Sequence, residues 1–206
     1  MKVIITCGPS FEPIDGMRRI TNASTGELGL MLAQTFVAVG HEVTVLKGEM
    51  ATSMQPCGTG DVVPFSTNDD LLDKLAGRAA DAVFHAAALC DFRLKEARSA
   101  DGEVIRAAKI PTRGGEVTLT LEPTTKVLPR LRALFPLARI IGWKFEPAGA
   151  REDIVGKAML QMLECGTDGC VVNGPGWGAG FGFIRPDGSA QTIDGRPALC
   201  GFLTAL

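Results

Sequence analysis

Short apolar runs alternate with amphipathic stretches along most of the chain. Val3–Thr6, Val43–Leu46, Val62–Phe65, Ala82–Ala88, Arg139–Trp143 and Gly169–Asn173 are strand-sized. Between the first two, Leu28, Met31, Leu32, Thr35, Phe36 and Val39 fall on one stripe at helical spacing, which predicts a helix over Thr25–Val39. Ser24 or Thr25 is expected to cap its start, and Gly40 stands where a left-handed C-terminal residue belongs. A second helix is expected from Asn68, as its cap, to about Arg78, with Leu71, Leu72 and Leu75 inward. Two more are expected near Thr125–Leu134 and over Arg151–Leu163. Strand and helix in alternation predict an α/β fold: a mainly parallel sheet with helices on its faces.

The pattern breaks between Asp91 and Pro123, where no helical period survives. This charged excursion reads as a protruding β-arm at about 92–123, whose clearest strand is Glu116–Leu121: Val117, Leu119 and Leu121 alternate with polar residues. Near the C-terminus, Pro186-Asp187-Gly188 between two strand-like runs predicts a β-hairpin. No repeat, low-complexity segment or linker interrupts the chain. The expectation is a single domain over residues 1–206.

Composition narrows the classes. With 206 residues, 46% apolar and 21% charged, the chain can bury one sizeable α/β core. A net charge of -2 gives no reason to expect nucleic acid or an anionic membrane as partner. No apolar stretch approaches the roughly 20 residues of a spanning helix. Met1-Lys2 leads directly into the first strand, leaving no room for a signal peptide, so a cytoplasmic location is expected. The six cysteines are scattered without metal-site spacing and there are two histidines, His41 and His85, which predicts buried reduced thiols rather than a metal centre.

In an open α/β sheet, ligands bind beyond the carboxyl ends of the strands. Three polar segments fall there: the long loop after the first strand, "AALCDF" after Ala82–Ala88, and "NGPGWGAGFGF" after the last parallel strand. Gly8 with Ser24, Thr25 and Gly26 could offer backbone N–H groups to a phosphate, or could be a turn and a cap, since their spacing is not GxGxxG. Asn22 could face a ligand or fold back on its own turn. Asp91 could bind a base edge, a ribose or a metal, or cap a helix. Lys109, in an arm with Arg106 and Arg113, could be catalytic or merely solvated.

Taken together, five segments resemble phosphopantothenoylcysteine synthetase, the ligase domain of the coenzyme A biosynthesis bifunctional proteins. They are "TCGPSFEPIDGMRRITNASTGELG" (6–29), "AAALCDFR" (86–93), "KIPTRGGEVTLTLEP" (109–123), "GWKFEP" (142–147) and "VNGPGWGAGFG" (172–182). The resemblance is collinear over nearly the whole chain and implies a stand-alone, divergent member with a Rossmann-like sheet. It implies that the carboxylate of 4′-phosphopantothenate attacks the α-phosphate of CTP or ATP, releasing pyrophosphate, and that the amine of cysteine then displaces the nucleoside monophosphate. Mg²⁺ on the phosphates, no flavin and a homodimer joined through the arm are implied as well. The resemblance assigns Asn22 and Lys109 to catalysis. Gly8, Ser24, Thr25, Gly26, Ala88, Asp91, Phe92, Lys126, Val127, Trp143 and Lys144 fall to the nucleotide. Arg18, Asn22, Asn173 and Phe181 fall to the other substrates. No metal ligand is assigned.

Several positions depart from the family pattern. Ile110, Pro111 and Thr112 follow Lys109 where further lysines are usual, Gly174 follows Asn173 where aspartate is usual, and Lys144 replaces the alanine of bacterial members. The lysines of the penultimate helix cannot be aligned around Lys157 without a gap. The departures leave open CTP against ATP, and a paralogue that binds a nucleotide or partner without turnover. A dinucleotide-dependent oxidoreductase is the rival enzyme class. The chain contains no tyrosine for a short-chain dehydrogenase acid, and Lys47-Gly48 follows the second strand where a ribose-binding carboxylate is usual.

Overall fold

The computed structural model describes residues 1–59 and 61–206. Eight strands form a sheet in the order β12-β11-β10-β9-β6-β1-β4-β5. β1 (Lys2–Cys7) lies between β4 (Glu42–Gly48) and β6 (Ala82–His85), parallel to both. β5 (Val62–Phe65), β9 (Arg139–Phe145) and β10 (Gly169–Asn173) extend the parallel part. β11 (Phe181–Ile184) and β12 (Ala190–Ile193) add the expected hairpin antiparallel at one edge.

Because side chains alternate across a sheet, β1 feeds two cores at once. Val3 and Ile5 pack with Val43, Val45 and Phe84 beneath α1 (Glu27–Ala38) and α5 (Gly195–Thr204). Ile4, in the opposite phase, packs with Val83 and Ile140 beneath α2 (Asn68–Leu75) and α3 (Leu128–Leu134). α4 (Arg151–Cys165) covers β10 on that second side through Ile154, Ala158 and Met162. Helices thus cover both faces. Five of the six cysteines are buried and all are free; burial raises the Cys7 and Cys170 thiols to about 12, so neither is a thiolate at neutral pH.

The element boundaries differ from the sequence expectation at identifiable places. Neither Ser24 nor Thr25 is the N-cap of α1. That position is Gly26, held left-handed at φ 77°, because a Cβ there would lie 3.2 Å from the Cα of Gly8, itself at φ 76°. Thr67, not Asn68, caps α2, its side chain accepting from the N–H of Asp70, and the helix ends at Leu75. The Ala82–Ala88 run is a strand only to His85, after which Ala88 bridges Pro9 alone. α3 starts at Leu128 rather than Thr125, with Pro129 in its first turn, where the missing N–H costs nothing. α4 continues past Leu163 to Cys165 and stops at left-handed Gly166. α5 and the small hairpin β2 (Phe11–Pro13) with β3 (Arg19–Thr21) were not anticipated.

The arm is a two-stranded antiparallel ribbon, β7 (Phe92–Ser99) with β8 (Val117–Pro123), so the single strand expected at Glu116–Leu121 has a partner. Its far end is clamped to the opening loop. Asp15, its side chain 1% exposed, accepts from the N–H groups of Met17, Arg18 and Ile110 and from the Arg18 guanidinium. Gly16 N–H donates to Ala108 O at 2.8 Å.

Two consequences are measurable. A Cβ at Gly29 of α1 would collide with the Cβ of Cys7 on β1. Gly29→Ala should therefore destabilise by about 1–3 kcal/mol as overpacking does, although alanine is the better helix former by about 1 kcal/mol. A higher urea midpoint in the variant would show that the helix stands clear of the strand. The backbone N–H groups of Ile110 and Met17 hold the Asp15 carboxyl at about 2, below its ordinary 3.8. A carboxyl depressed by folding contributes stability above its unfolded value and loses it as pH falls through the folded one. The arm should thus stay clamped down to about pH 3 and loosen toward about pH 2. At neutral pH, Asp15→Asn should speed tryptic cleavage after Lys109 and Arg113 several-fold while the core melts as before. Equal cleavage rates would refute the clamp.

Candidate functional site

A cavity of about 500 Å³ opens beyond the carboxyl ends of β6 and β9, walled by α2, α3 and α4. Its position follows from register. Thr6, His85 and Gly142 are aligned across β1, β6 and β9, one step beyond the apolar row Ile4, Val83 and Ile140. At Gly142 the row has no side chain, and a Cβ there would lie 3.1 Å from Gln161 Nε2 and 3.4 Å from Leu128 Cδ2. The missing side chain lets Gln161 and Leu128 pack closely over the strand beside the cavity.

Of the residues singled out from sequence, Asp91, Lys126, Val127, Trp143 and Lys144 line this cavity. Asp91 and Lys126 form an ion pair with both side chains largely exposed, at the mouth. Val127 is buried. Trp143 borders the cavity while packing against the core beneath α1 and α5, and its Nε1 is sealed without a partner. Asn22 does not fold back on its turn: its Nδ2 donates to Leu89 O at 2.8 Å, and Leu89 is a lining residue. Gly8 and Gly26 touch at the start of α1, and Ala88 joins them by donating its N–H to Gly8 O at 3.0 Å. Ser24 and Thr25 precede that junction, Thr25 Oγ1 accepting from the N–H of Glu27 at 3.3 Å.

Other expected residues lie elsewhere. Phe92 begins the arm and is half exposed, and Arg18 belongs to the Asp15 clamp. Lys109 is exposed between Ala108 and Ile110 at the same clamp, outside the cavity lining. Asn173 ends β10, its carbonyl accepting from Glu146 N–H at 2.8 Å. The Phe181 ring is 8% exposed and packs in the core under α5, because β11 turns that phase of its residues inward. Gly174, where aspartate is usual, has φ 117° and sits so close to the backbone of Glu146 that a Cβ would meet its carbonyl oxygen.

Sequence reasoning missed the roles of five residues here. Glu146 is 8% exposed and pairs with two lysines of the lining, Lys157 at 2.6 Å and Lys144 at 3.5 Å. The Lys157 hydrogen bond, followed by the charge of Lys144, holds its carboxyl below the ordinary value despite burial. Lys157 and Gln161 lie one turn apart on α4 and face the cavity together, a relation visible only as an i, i+4 stripe. His85 looked like part of an apolar run. It is 6% exposed, with Nδ1 2.7 Å from Thr6 Oγ1, and burial lowers its pKa to about 4. Asn68, expected as a cap, instead donates from Nδ2 to Cys90 O and Thr125 O at 2.8 Å each, tying α2 to both loops of the cavity.

Chemically, the cavity offers ammonium groups and an ion pair at its mouth and neutral polar groups deeper in. Among the described residues no three His, Cys, Asp or Glu side chains are grouped to hold a metal ion. A Mg²⁺ ion carried by a substrate's phosphates fits such a site, since it keeps several waters and needs only one or two protein carboxylates; Asp91 is the carboxylate at the mouth. No described helix is long and apolar enough to cross a membrane.

Comparison with known proteins agrees over the same span. The coenzyme A biosynthesis bifunctional protein CoaBC of Thermococcus kodakarensis is 32% identical over 177 residues, covering 84% of this chain and 41% of that protein. Its counterpart in Mycobacterium tuberculosis is 32% identical over 202 residues, covering 94% of this chain and 46% of that one. The chain spans less than half the length of these relatives. In structure it resembles the DNA/pantothenate metabolism flavoprotein from Streptococcus pneumoniae, with TM-score 0.88 at 21% identity over 100% of this chain and 97% of that one. It also resembles a Cab2 mutant in complex with phosphopantothenate-cysteine, with TM-score 0.65 at 18% identity over 94% and 80% of the two chains. The family model of the DNA/pantothenate metabolism flavoprotein C-terminal domain matches residues 1–193, and the chain belongs to that family.

Proposed function

We propose that this protein is a phosphopantothenate–cysteine ligase of coenzyme A biosynthesis, working through an acyl nucleotide made from CTP or ATP. The observation that carries the reading is the convergence on one cavity, in a chain of this family, of the Asn22 loop, the Asp91–Lys126 pair and the Lys144–Glu146–Lys157 cluster. Relatives named for coenzyme A biosynthesis, and a structural neighbour holding phosphopantothenate-cysteine, support it.

In the first step the 4′-phosphopantothenate carboxylate oxygen bonds to the α-phosphorus and the bond to pyrophosphate breaks. In the second, the cysteine amine bonds to the acyl carbon, the nucleoside monophosphate leaves, and the amine loses its proton to solvent. Neither step needs a protein nucleophile, so the chain contributes position and charge. Lys126, Lys144 and Lys157 offset the phosphate charge at the mouth. The N–H groups at the Gly8–Gly26 junction, at the start of α1, hold a phosphate oxygen as helix N-termini do. Asn22, tied to Leu89 beside the cavity, holds the acyl nucleotide, and Arg18 and Asn173 serve the remaining substrates. Bound Mg²⁺ would neutralise charge on the leaving pyrophosphate, and Asp91 would help to hold it. Lys109 acts from the arm of a second copy of the chain, which is why it stands away from its own cavity. We place the enzyme in the cytoplasm, as a homodimer, with no flavin bound by this domain.

The test is pyrophosphate release with 4′-phosphopantothenate, Mg²⁺ and either CTP or ATP. A burst without cysteine and steady turnover with it are expected. Absence of release with both nucleotides, where a known synthetase works, would favour a paralogue that binds without turnover. Asn22→Asp, which sets a carboxylate oxygen against Leu89 O in place of the present hydrogen bond, should lower the melting temperature slightly and slow turnover by about 10²–10³, the loss seen when one donor to a developing anion is removed. Normal turnover in that variant would reduce Asn22 to a loop tether.

A further inference from the structure

Glu12 of β2 takes no part in the steps above, yet it is 6% exposed, and burial pushes its carboxyl above the ordinary 4.5. Among the described residues no lysine or arginine lies within ion-pair distance of it; Arg93, whose charge reaches it, pairs with Asp69 and Glu122 instead. The carboxyl accepts from two donors, the N–H of Asn68 at the first residue of α2 and the Thr124 hydroxyl at 3.4 Å. Both donors belong to residues that hold the cavity mouth. Thr124 N–H donates to Asp91 O at 3.0 Å, and the Asn68 amide spans Cys90 O and Thr125 O, the neighbours of Asp91 and Lys126. On its own hairpin Glu12 pairs with Ile20 of β3, just before Asn22. That hairpin lies over Cys90, whose N–H donates to Ser10 Oγ at 2.8 Å and whose Sγ is 3.5 Å from Ile20 O.

A charge buried without an ion partner costs stability, and a well-packed apolar side chain of similar size would cost less. What the carboxylate supplies instead is connection, because it joins the hairpin that leads to Asn22 with the turns that bear Asp91 and Lys126. We propose that Glu12 is a positioning residue, a buried acceptor that sets Asn22 against the Asp91–Lys126 pair; its part in catalysis rests on the ligase function proposed above. Its hydrogen bonds run to a helix start and to the base of the arm, not to the parallel sheet. Glu12 therefore fixes the spacing of the loops around the mouth without carrying the core. Groups that orient a substrate are sensitive to such spacing: a misplacement of about 1 Å costs about 10²-fold in rate.

The test compares wild type, Glu12→Ala and Glu12→Gln by two readouts. The first is the rate at which iodoacetamide alkylates Cys90 in the absence of ligands, followed site by site by mass spectrometry, with buried Cys7 and Cys170 of the sheet as internal controls. The second is the pyrophosphate burst with 4′-phosphopantothenate, Mg²⁺ and saturating CTP or ATP, without cysteine. In Glu12→Ala, Cys90 should react several-fold faster while Cys7 and Cys170 stay slow, and the burst should slow by about 10–10²-fold. Glu12→Gln keeps the volume and one acceptor oxygen, and should recover most of both. Thr124→Val removes one of the two donors and is read in the same way if Glu12→Ala does not fold. Unchanged alkylation of Cys90 would overturn the inference whatever the activity. Faster alkylation with a normal burst would reduce Glu12 to a structural tie and overturn it as well. A wild type that releases no pyrophosphate with either nucleotide would overturn the ligase, and the alkylation rates would then still decide whether Glu12 holds the hairpin.

Discussion

The parallel register of β1, β6 and β9 is the constraint from which the rest of the molecule follows. It aligns Ile4, Val83 and Ile140 as one apolar row, and therefore Thr6, His85 and Gly142 as the next. The first row is sealed by α2 and α3; of the second, His85 reaches the cavity while Leu128 and Gln161 pack over Gly142. A slip of one residue in β6 would send His85 to the α1 side and bring Phe84 or Ala86 to the cavity side, since one step of register exchanges the faces of a strand. Buried parallel strands forbid such slips because both faces are packed. The same packing that stabilises the sheet therefore fixes the position of His85 in the cavity wall.

Much of this was legible because buried parallel strands announce themselves as short apolar runs. The ends were less so. Three-residue strands such as β2 and β3 carry Pro13 and too few positions for any alternation. α5 includes Gly195, Pro197 and Gly201, which read as breaks, and is helical because Leu199, Cys200 and Leu203 bury against α1 and the sheet. The cap of α1 was misread since contact between Gly8 and Gly26, eighteen positions apart, decides it, and no local rule contains that contact.

The site divides in the same way. Asp91 was found because it follows a strand end, where topology alone predicts a ligand; Lys126 and Lys144 were found through the family resemblance. Lys157 and Gln161 lie in mid-helix, and only the approach of α4 to β9 makes them neighbours of Glu146 and Gly142. His85 was hidden by its company: an imidazole between Phe84 and Ala86 looks like a buried spacer until its place in the cavity wall is seen. Lys109 shows the opposite case, a residue chosen by motif whose own chain leaves it outside the cavity.

The contact between Gly8 and Gly26 acts as a drawstring. It closes the opening loop at its neck, and residues 9–25 reach out from there to Ala88, Leu89 and the arm at Ile110. Closing a loop costs free energy that grows only as the logarithm of its length, about 0.6 kcal/mol for each doubling. Segments hung from such a neck can be lengthened, shortened or exchanged while the strand and helix beneath them keep their register. In this fold, diversification of what is bound is separated from preservation of what does the holding.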